Sequence, residues 1–204
     1  MKEIFITSNS AKKFEQTYYS IDSNWFNYFT DFKVTTLPNA VSRLNNFLDK
    51  STPSAFVFSG GGDISSNNLV SEGFDEKREE VEEFLIEYSI KNHIPLVAIC
   101  RGMQKVITYL EKEINFVENK IAIKEHYAID NLTLSNNSTI STRTCFNNYS
   151  IPFNKEIENS WNVLQVDKHN NLLCIQHKKY KILCFMWHPE RDETDFEIIS
   201  DFIN

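Results

Sequence analysis

The sequence predicts an α/β fold in three layers: a mostly parallel sheet with helices on both faces, followed by an antiparallel C-terminal extension. Three observations carry this reading. Short apolar runs such as "EIFITS", "SAFVFS" and "IPLVAIC" alternate with stretches of helical spacing. The runs are predominantly apolar rather than strictly alternating, as expected for strands covered on both faces. After about Val117 the pattern changes to short strands and polar turns, such as "NLTLSNNSTIST", which predicts antiparallel pairing.

The elements follow in order. "EIFITS" opens with a strand, and in the aromatic stretch "SNWFNYFTDF" the residues Trp25, Phe26 and Phe29 are expected to share a helical face. "KVTTLP" reads as a strand, Ala40 to Asp49 as a helix, and "SAFVFS" as a strand running into a glycine triplet. From Asp75 to Asn92 the apolar Val81, Phe84, Leu85 and Tyr88 recur at helical spacing. "IPLVAIC" is the next strand and "MQKVITYLEKE" its helix. "LLCIQHKKYKILCFMWH" reads as two strands around the polar turn "HKKY", and "RDETDFEIISDFIN" closes the chain as an amphipathic helix. No repeat or low-complexity linker interrupts this order, so residues 1–204 are expected to form one domain.

Composition narrows the function. The 204 residues are 41% hydrophobic, 24% charged and 13% aromatic, enough for one sizeable core. A formal net charge of −7 repels phosphate backbones, so no nucleic-acid partner is expected, although a local basic pocket for one small anion is compatible with it. No run approaches the ~18 apolar residues of a membrane span, and the N-terminus lacks the apolar core of a signal peptide. The expectation is a cytoplasmic protein with no membrane partner. Cys100, Cys145, Cys174 and Cys184 lack the close spacing of a disulfide framework. Cys174, His177, Cys184 and His188 could be read as zinc ligands. On strands, however, Cys174 and His177 face opposite ways, so two buried thiols and no metal are expected.

Three features carry chemistry, each at the end of a predicted strand, where open α/β sheets build their sites. In "VAICRGMQ", Cys100 stands on a strand-to-helix turn, where the helix dipole and unpaired N–H groups favour a thiolate. In "FMWHPE", His188 supplies a base and Glu190 a carboxylate to orient it, with Pro189 stiffening the link. In "FSGGGDIS", Gly60, Gly61 and Gly62 expose backbone N–H groups able to bind an oxyanion. The loop lacks the Lys-Ser/Thr of a nucleotide-binding P-loop.

Taken together and in chain order (glycine loop, Cys100 elbow, His188 end), the blocks resemble the class I glutamine amidotransferase superfamily. Its pattern is a glycine-rich oxyanion strand, a G-x-C-x-G-x-Q-like elbow and a terminal H-P-E. Ala98 stands in place of the first glycine of the elbow. The resemblance runs from Ser59 to Arg191 and implies a class I glutamine amidotransferase-like fold. "CRG" is similar to the γ-glutamyl hydrolase branch, which includes the γ-glutamyl-γ-aminobutyrate hydrolases. "DEKREEVEEFLI" lies where that branch carries an R-D-x-x-E-type helix start and matches it loosely; a solvated helix face is the alternative reading. "CFNNYSI" occupies the place of the branch's V-N-S-x-H segment, with Asn147 matching, Asn148 in place of Ser and Ser150 in place of His. That departure argues against the branch's usual leaving group.

The resemblance implies a hydrolase with Cys100, His188 and Glu190 as catalytic residues and no cofactor. It implies substrate binding by Gly60, Gly61, Gly62, Arg101, Gln104, Asn147, Asn148 and Tyr149. The implied partner is a small γ-glutamyl compound, and a nucleotide-linked one is among the candidates. Arg143, Lys124, His126 and Arg101 are basic groups that could meet its diphosphate. Two alternatives are a glutaminase subunit passing ammonia to a separate synthetase and a triad relic acting as a binding module. The oligomeric state is open.

Overall fold

A computed structural model describes residues 1–65, 74–111, 114–118, 147–193 and 195–204, together with the backbone of 125–129 and 141–145. The chain begins with β1 (Glu3–Thr7), a hairpin of β2 (Asn9–Lys13) and β3 (Gln16–Ser20), and the short helix α1 (Asn24–Tyr28). β4 (Lys33–Leu37), α2 (Val41–Leu48), β5 (Ala55–Phe58), α3 (Glu76–Asn92), β6 (Leu96–Ile99) and α4 (Arg101–Leu110) follow. The short strands β7 (Val117–Glu118), β8 (Glu125–Ile129), β9 (Ser141–Cys145) and β10 (Tyr149–Ser150) pair outside the main sheet. β11 (Trp161–Val166), β12 (Leu172–His177) and β13 (Ile182–Phe185) return to that sheet, and α5 (Pro189–Asp192) and α6 (Phe196–Ile203) end the chain.

The main sheet has the order β11-β12-β13-β6-β5-β1-β4. Its strands from β4 to β13 are parallel, and β12 and β11 add the antiparallel extension expected from the sequence. α2 packs on α3 and α3 on α4, the single layer that right-handed crossovers between parallel strands produce. On the other face α1 meets α5, and the rings of Tyr28 and Phe196 lie edge to face at 5.5 Å. Every residue of β5, β6 and β13 is buried, which explains their unbroken apolar character. No described helix is long and apolar enough to cross a membrane.

Three local outcomes differ from the sequence reading. Trp25 and Phe29 stack at 5.6 Å within the core, whereas Phe26 is 52% exposed. Residues 25 and 29 are four apart and share a face, while 26 is rotated about 100° from 25. The closing helix is two pieces, broken by left-handed conformations at Glu193 and Asp195. The hairpin β2–β3 carries no sequence signal, because its turn, Phe14-Glu15, has none of the usual turn residues and both adopt positive φ. Most of "NLTLSNNSTIST" lies outside the described residues.

Candidate active site

Parallel neighbours end side by side, so the order β5-β6-β13 dictates what meets above the sheet. The glycine loop leaves β5, Cys100 follows β6, and Met186-Trp187-His188 follows β13. Cys100 has φ 52° and ψ −106°, a conformation costing ~1–3 kcal/mol for a non-glycine residue. Neighbours hold it there. The Cys100 N–H donates to the Phe185 carbonyl at 2.7 Å, and the Gln104 N–H donates to the Cys100 carbonyl at 3.1 Å. Gly102 lets α4 begin directly against β5, since a Cβ on it would lie 2.6 Å from the Phe58 carbonyl oxygen. The result is a sharp turn with a thiol at its tip, 6% exposed.

His188 and Glu190 are buried, and His188 Nδ1 lies 2.7 Å from Glu190 Oε1. The His188 ring also hydrogen-bonds Cys100. Burial disfavours the imidazolium. The hydrogen bond and charge of Cys100, then those of Glu190, outweigh it and hold His188 at about 9. Gly60 packs flat against this ring, leaving no room for a side chain: a Cβ there would lie 2.5 Å from His188 Cε1.

Beneath the site lies a cluster of buried charge. Arg78 and Glu82 of α3 pair at 2.9 Å, Glu82 also pairs with Arg101, and Glu79 pairs with Lys105 at 3.1 Å. Lys105 reaches the half-exposed Glu83 at 2.7 Å, so three cations face three carboxylates. The Arg78 guanidinium donates to the carbonyls of Ser59 at 2.5 Å and Gly61 at 2.7 Å. It thereby pins the glycine loop from below. Burial lowers the Arg78 pKa to about 10 against the opposing pull of Glu82. Ser65 donates to Glu79 through both its N–H, at 2.8 Å, and its hydroxyl, at 2.6 Å. This helix start is therefore no solvated face, the alternative that its sequence suggests. Residues 78, 82, 85 and 89 form one buried face, with charge at its N-terminal half and Leu85 and Ser89 beyond. An i, i+4 Arg-Glu pair in line with a buried leucine was the available signal.

A cavity of about 160 Å³ brings together Cys100, His188, Gly61, Gly62 and Gln104 with the segment Asn147–Tyr149. Gln104 donates to the Tyr149 carbonyl at 3.0 Å, and Asn147 donates to the same oxygen at 2.9 Å. These bonds tie α4 to the loop and shape the cavity wall. Gly60 lies on the other side of His188, against a second cavity. The Arg101 side chain borders the first cavity but is 2% exposed and committed to Glu82 and Glu79. Lys124 and the side chains of Arg143 and His126 lie outside the described residues. Arg191, which sequence reasoning does not single out, borders both cavities.

Cys174 and Cys184 are buried thiols on β12 and β13, held well above the ordinary range by desolvation. His177 stacks on Tyr180 at 4.5 Å and His188 is engaged with Glu190. Among the described residues no group of three or more His, Cys, Asp or Glu could hold a metal.

Comparison with known proteins gives a consistent placement. Residues 17–204 match the family described as glutamine amidotransferase class-I. A Campylobacter jejuni protein, gamma-glutamyl-CDP-amidate hydrolase, is 31% identical over 154 residues, covering 74% of this chain and 70% of its own. A putative GMP synthase component from Thermoplasma acidophilum superposes with a TM-score of 0.71 at 14% identity, covering all of this chain and 92% of that one. A chain of PurLQS from Thermotoga maritima gives 0.66 at 13% identity, over all of this chain and 98% of that one. These last two share the fold. With its sheet, elbow and sequence all in agreement, the chain belongs to the class I glutamine amidotransferase family.

Proposed function

We propose that this chain is a cysteine-dependent hydrolase of γ-glutamyl amides, that residues 1–204 act as one domain, and that its substrate is γ-L-glutamyl-CDP-amidate. The products are glutamate and cytidine diphosphoramidate, the latter destined for capsular polysaccharide. The observation that carries the chemistry is Cys100 on a strained elbow, hydrogen-bonded to a His188 whose Nδ1 is 2.7 Å from Glu190. The named C. jejuni relative supports the substrate.

In this mechanism the Cys100 thiolate attacks the γ-carbonyl carbon, and the carbonyl oxygen takes up negative charge. The backbone N–H groups of Arg101 and the Gly60–Gly62 loop stabilise that charge, a contribution of ~3–4 kcal/mol per donor in comparable sites. Arg78 keeps the loop from relaxing by holding its carbonyls. His188 gives its proton to the leaving nitrogen as the C–N bond breaks, leaving a γ-glutamyl thioester on Cys100. Water, deprotonated by His188, attacks the thioester, and glutamate departs as the thiolate is restored. Glu190 keeps the imidazole oriented and stabilises its charged form. Gln104, Asn147, Asn148 and Tyr149 hold the glutamyl group in the first cavity. No step calls for a cofactor.

The test is glutamate release from a panel of γ-glutamyl compounds. We expect kcat/KM for γ-glutamyl-CDP-amidate to exceed that for glutamine about a hundredfold, or about 2.7 kcal/mol of transition-state binding. Comparable rates on glutamine, γ-glutamyl-γ-aminobutyrate and the nucleotide conjugate would remove the substrate assignment and leave the general hydrolase. Idleness on every compound, relieved only by a synthetase, would identify an ammonia-supplying component instead.

A further inference from the structure

The two cavities beside His188 share Gly61, His188 and Arg191. The first, with Cys100 and Gln104, has the size of one amino-acid side chain and its α-groups. The second, about 240 Å³, runs past Gly60 to Asn9, Ser20, Asp22 and Trp25. Ser20 and Ile21 also border a third space of about 320 Å³, together with Tyr19. A leaving nitrogen that takes its proton from His188 lies at the junction. The group attached to it therefore points away from the glutamyl cavity and into the second one.

Among the described residues, the arginines bordering the first two cavities are Arg101 and Arg191. Arg101 is buried in its ion pairs. Arg191 has a side chain 36% exposed, with Nε 3.0 Å from Asp22 and 3.9 Å from Glu190 Oε1. Asp22 and Glu190 thus lie against it, and it shares both cavities with the His188 imidazole. With a formal charge of −7, the protein repels an anionic substrate unless a local cation receives it. A guanidinium matches phosphate with paired N–H donors and can exchange one oxyanion partner for another.

We propose that Arg191 receives a phosphate of the leaving group, leaving Asp22 to do so, and that the second cavity is the leaving-group subsite for a phosphorylated nucleoside. This rests on the hydrolase reading above for the direction in which the leaving group points. Asp22 then competes with the ligand for Arg191, so variants of the two residues act with opposite sign. A structural salt bridge predicts the same sign for both, because either change breaks it.

The experiment titrates the full-length protein with CDP, pyrophosphate and cytidine by calorimetry, with thermal unfolding as the check on folding. Arg191→Gln is expected to weaken CDP and pyrophosphate about tenfold or more, Arg191→Lys less, and cytidine hardly at all. Asp22→Asn is expected to tighten CDP and pyrophosphate severalfold. The proposal is overturned if wild type binds neither anion at millimolar concentration. It is equally overturned if Arg191→Gln leaves CDP affinity within about twofold, if both variants weaken CDP, or if only cytidine responds. Should the opposite signs be observed while no γ-glutamyl nucleotide is cleaved, the subsite stands and the hydrolase reading falls. Cleavage of γ-glutamyl-CDP-amidate that is indifferent to Arg191→Gln has the reverse meaning.

Discussion

Gly60→Ala is a one-methyl test of the catalytic geometry. The new carbon would lie 2.5 Å from His188 Cε1 and 3.2 Å from Nε2, against an ordinary carbon contact of about 3.5–4.0 Å. Gly60 is not in the left-handed region, so the backbone itself accepts alanine. The strain falls on the ring, which must retreat by about 1 Å. It has little room, being 3% exposed and tied at Nδ1 to Glu190. Retreat separates Nε2 from the thiol and from the leaving nitrogen. A displacement of about 1 Å at a reacting group costs on the order of a hundredfold, or about 2.7 kcal/mol. The assay is steady-state glutamate release, with thermal unfolding measured alongside. We expect kcat to fall about a hundredfold, KM to stay within a few-fold, and the fold to persist with the ~1–3 kcal/mol loss typical of overpacking. A folded Gly60→Ala protein with wild-type kcat would refute the assigned role of the ring.

Other outcomes follow from the same geometry. His188 is held at about 9, above its ordinary 6.5, so its contribution to stability is complete below about 6.5 and is lost as pH rises through about 9. The melting temperature should therefore decline across that window, and kcat/KM should show a basic limb near 9 as the proton for the leaving nitrogen is lost. Glu190→Gln removes one of the groups holding that proton, so the limb should move to lower pH and kcat should fall more than affinity; an unmoved limb would contradict the pairing. Glu82→Gln leaves Arg78 and Arg101 without their shared carboxylate and should cost ~3–5 kcal/mol in denaturant unfolding, whereas near-neutral stability would show the buried cluster to be dispensable. Cys100→Ala should abolish glutamate release with the fold kept, while Cys174→Ala should retain turnover because that thiol is fully buried and does not line the cavity.

Much of the architecture was legible because the central strands are buried on both faces and their sequences say so, as with "AFVF" and "LVAI". Cys100, His188 and the glycine loop were legible as a group because each directly follows a strand, and adjacent parallel strands deliver such positions to one edge. The buried cluster was not. Arg78, Glu79 and Glu82 look like an ordinary charged helix surface until Arg101 and Lys105 arrive from α4 to neutralise them. That pairing is tertiary, and hydrophobic periodicity has no means of reporting it. Arg191 escapes sequence reasoning for a similar cause: its importance lies in bordering two cavities at once, a fact of space rather than of spacing. Phe26 shows the limit within a single turn of helix, where an aromatic run does not reveal which ring faces the core.

The most direct test of the central claim is chemical labelling of the nucleophile. A glutamine analogue carrying a diazoketone in place of its amide sets its ketone where the γ-carbonyl would be attacked, and its diazo carbon, once protonated, alkylates the thiolate with loss of N2. Peptide mass spectrometry after partial inactivation reads both the site and the stoichiometry. The account predicts one label per chain, on Cys100, rising in proportion to lost glutamate release and suppressed by added glutamate. Complete labelling of Cys100 with activity intact, or complete inactivation with Cys100 unmodified, would contradict it.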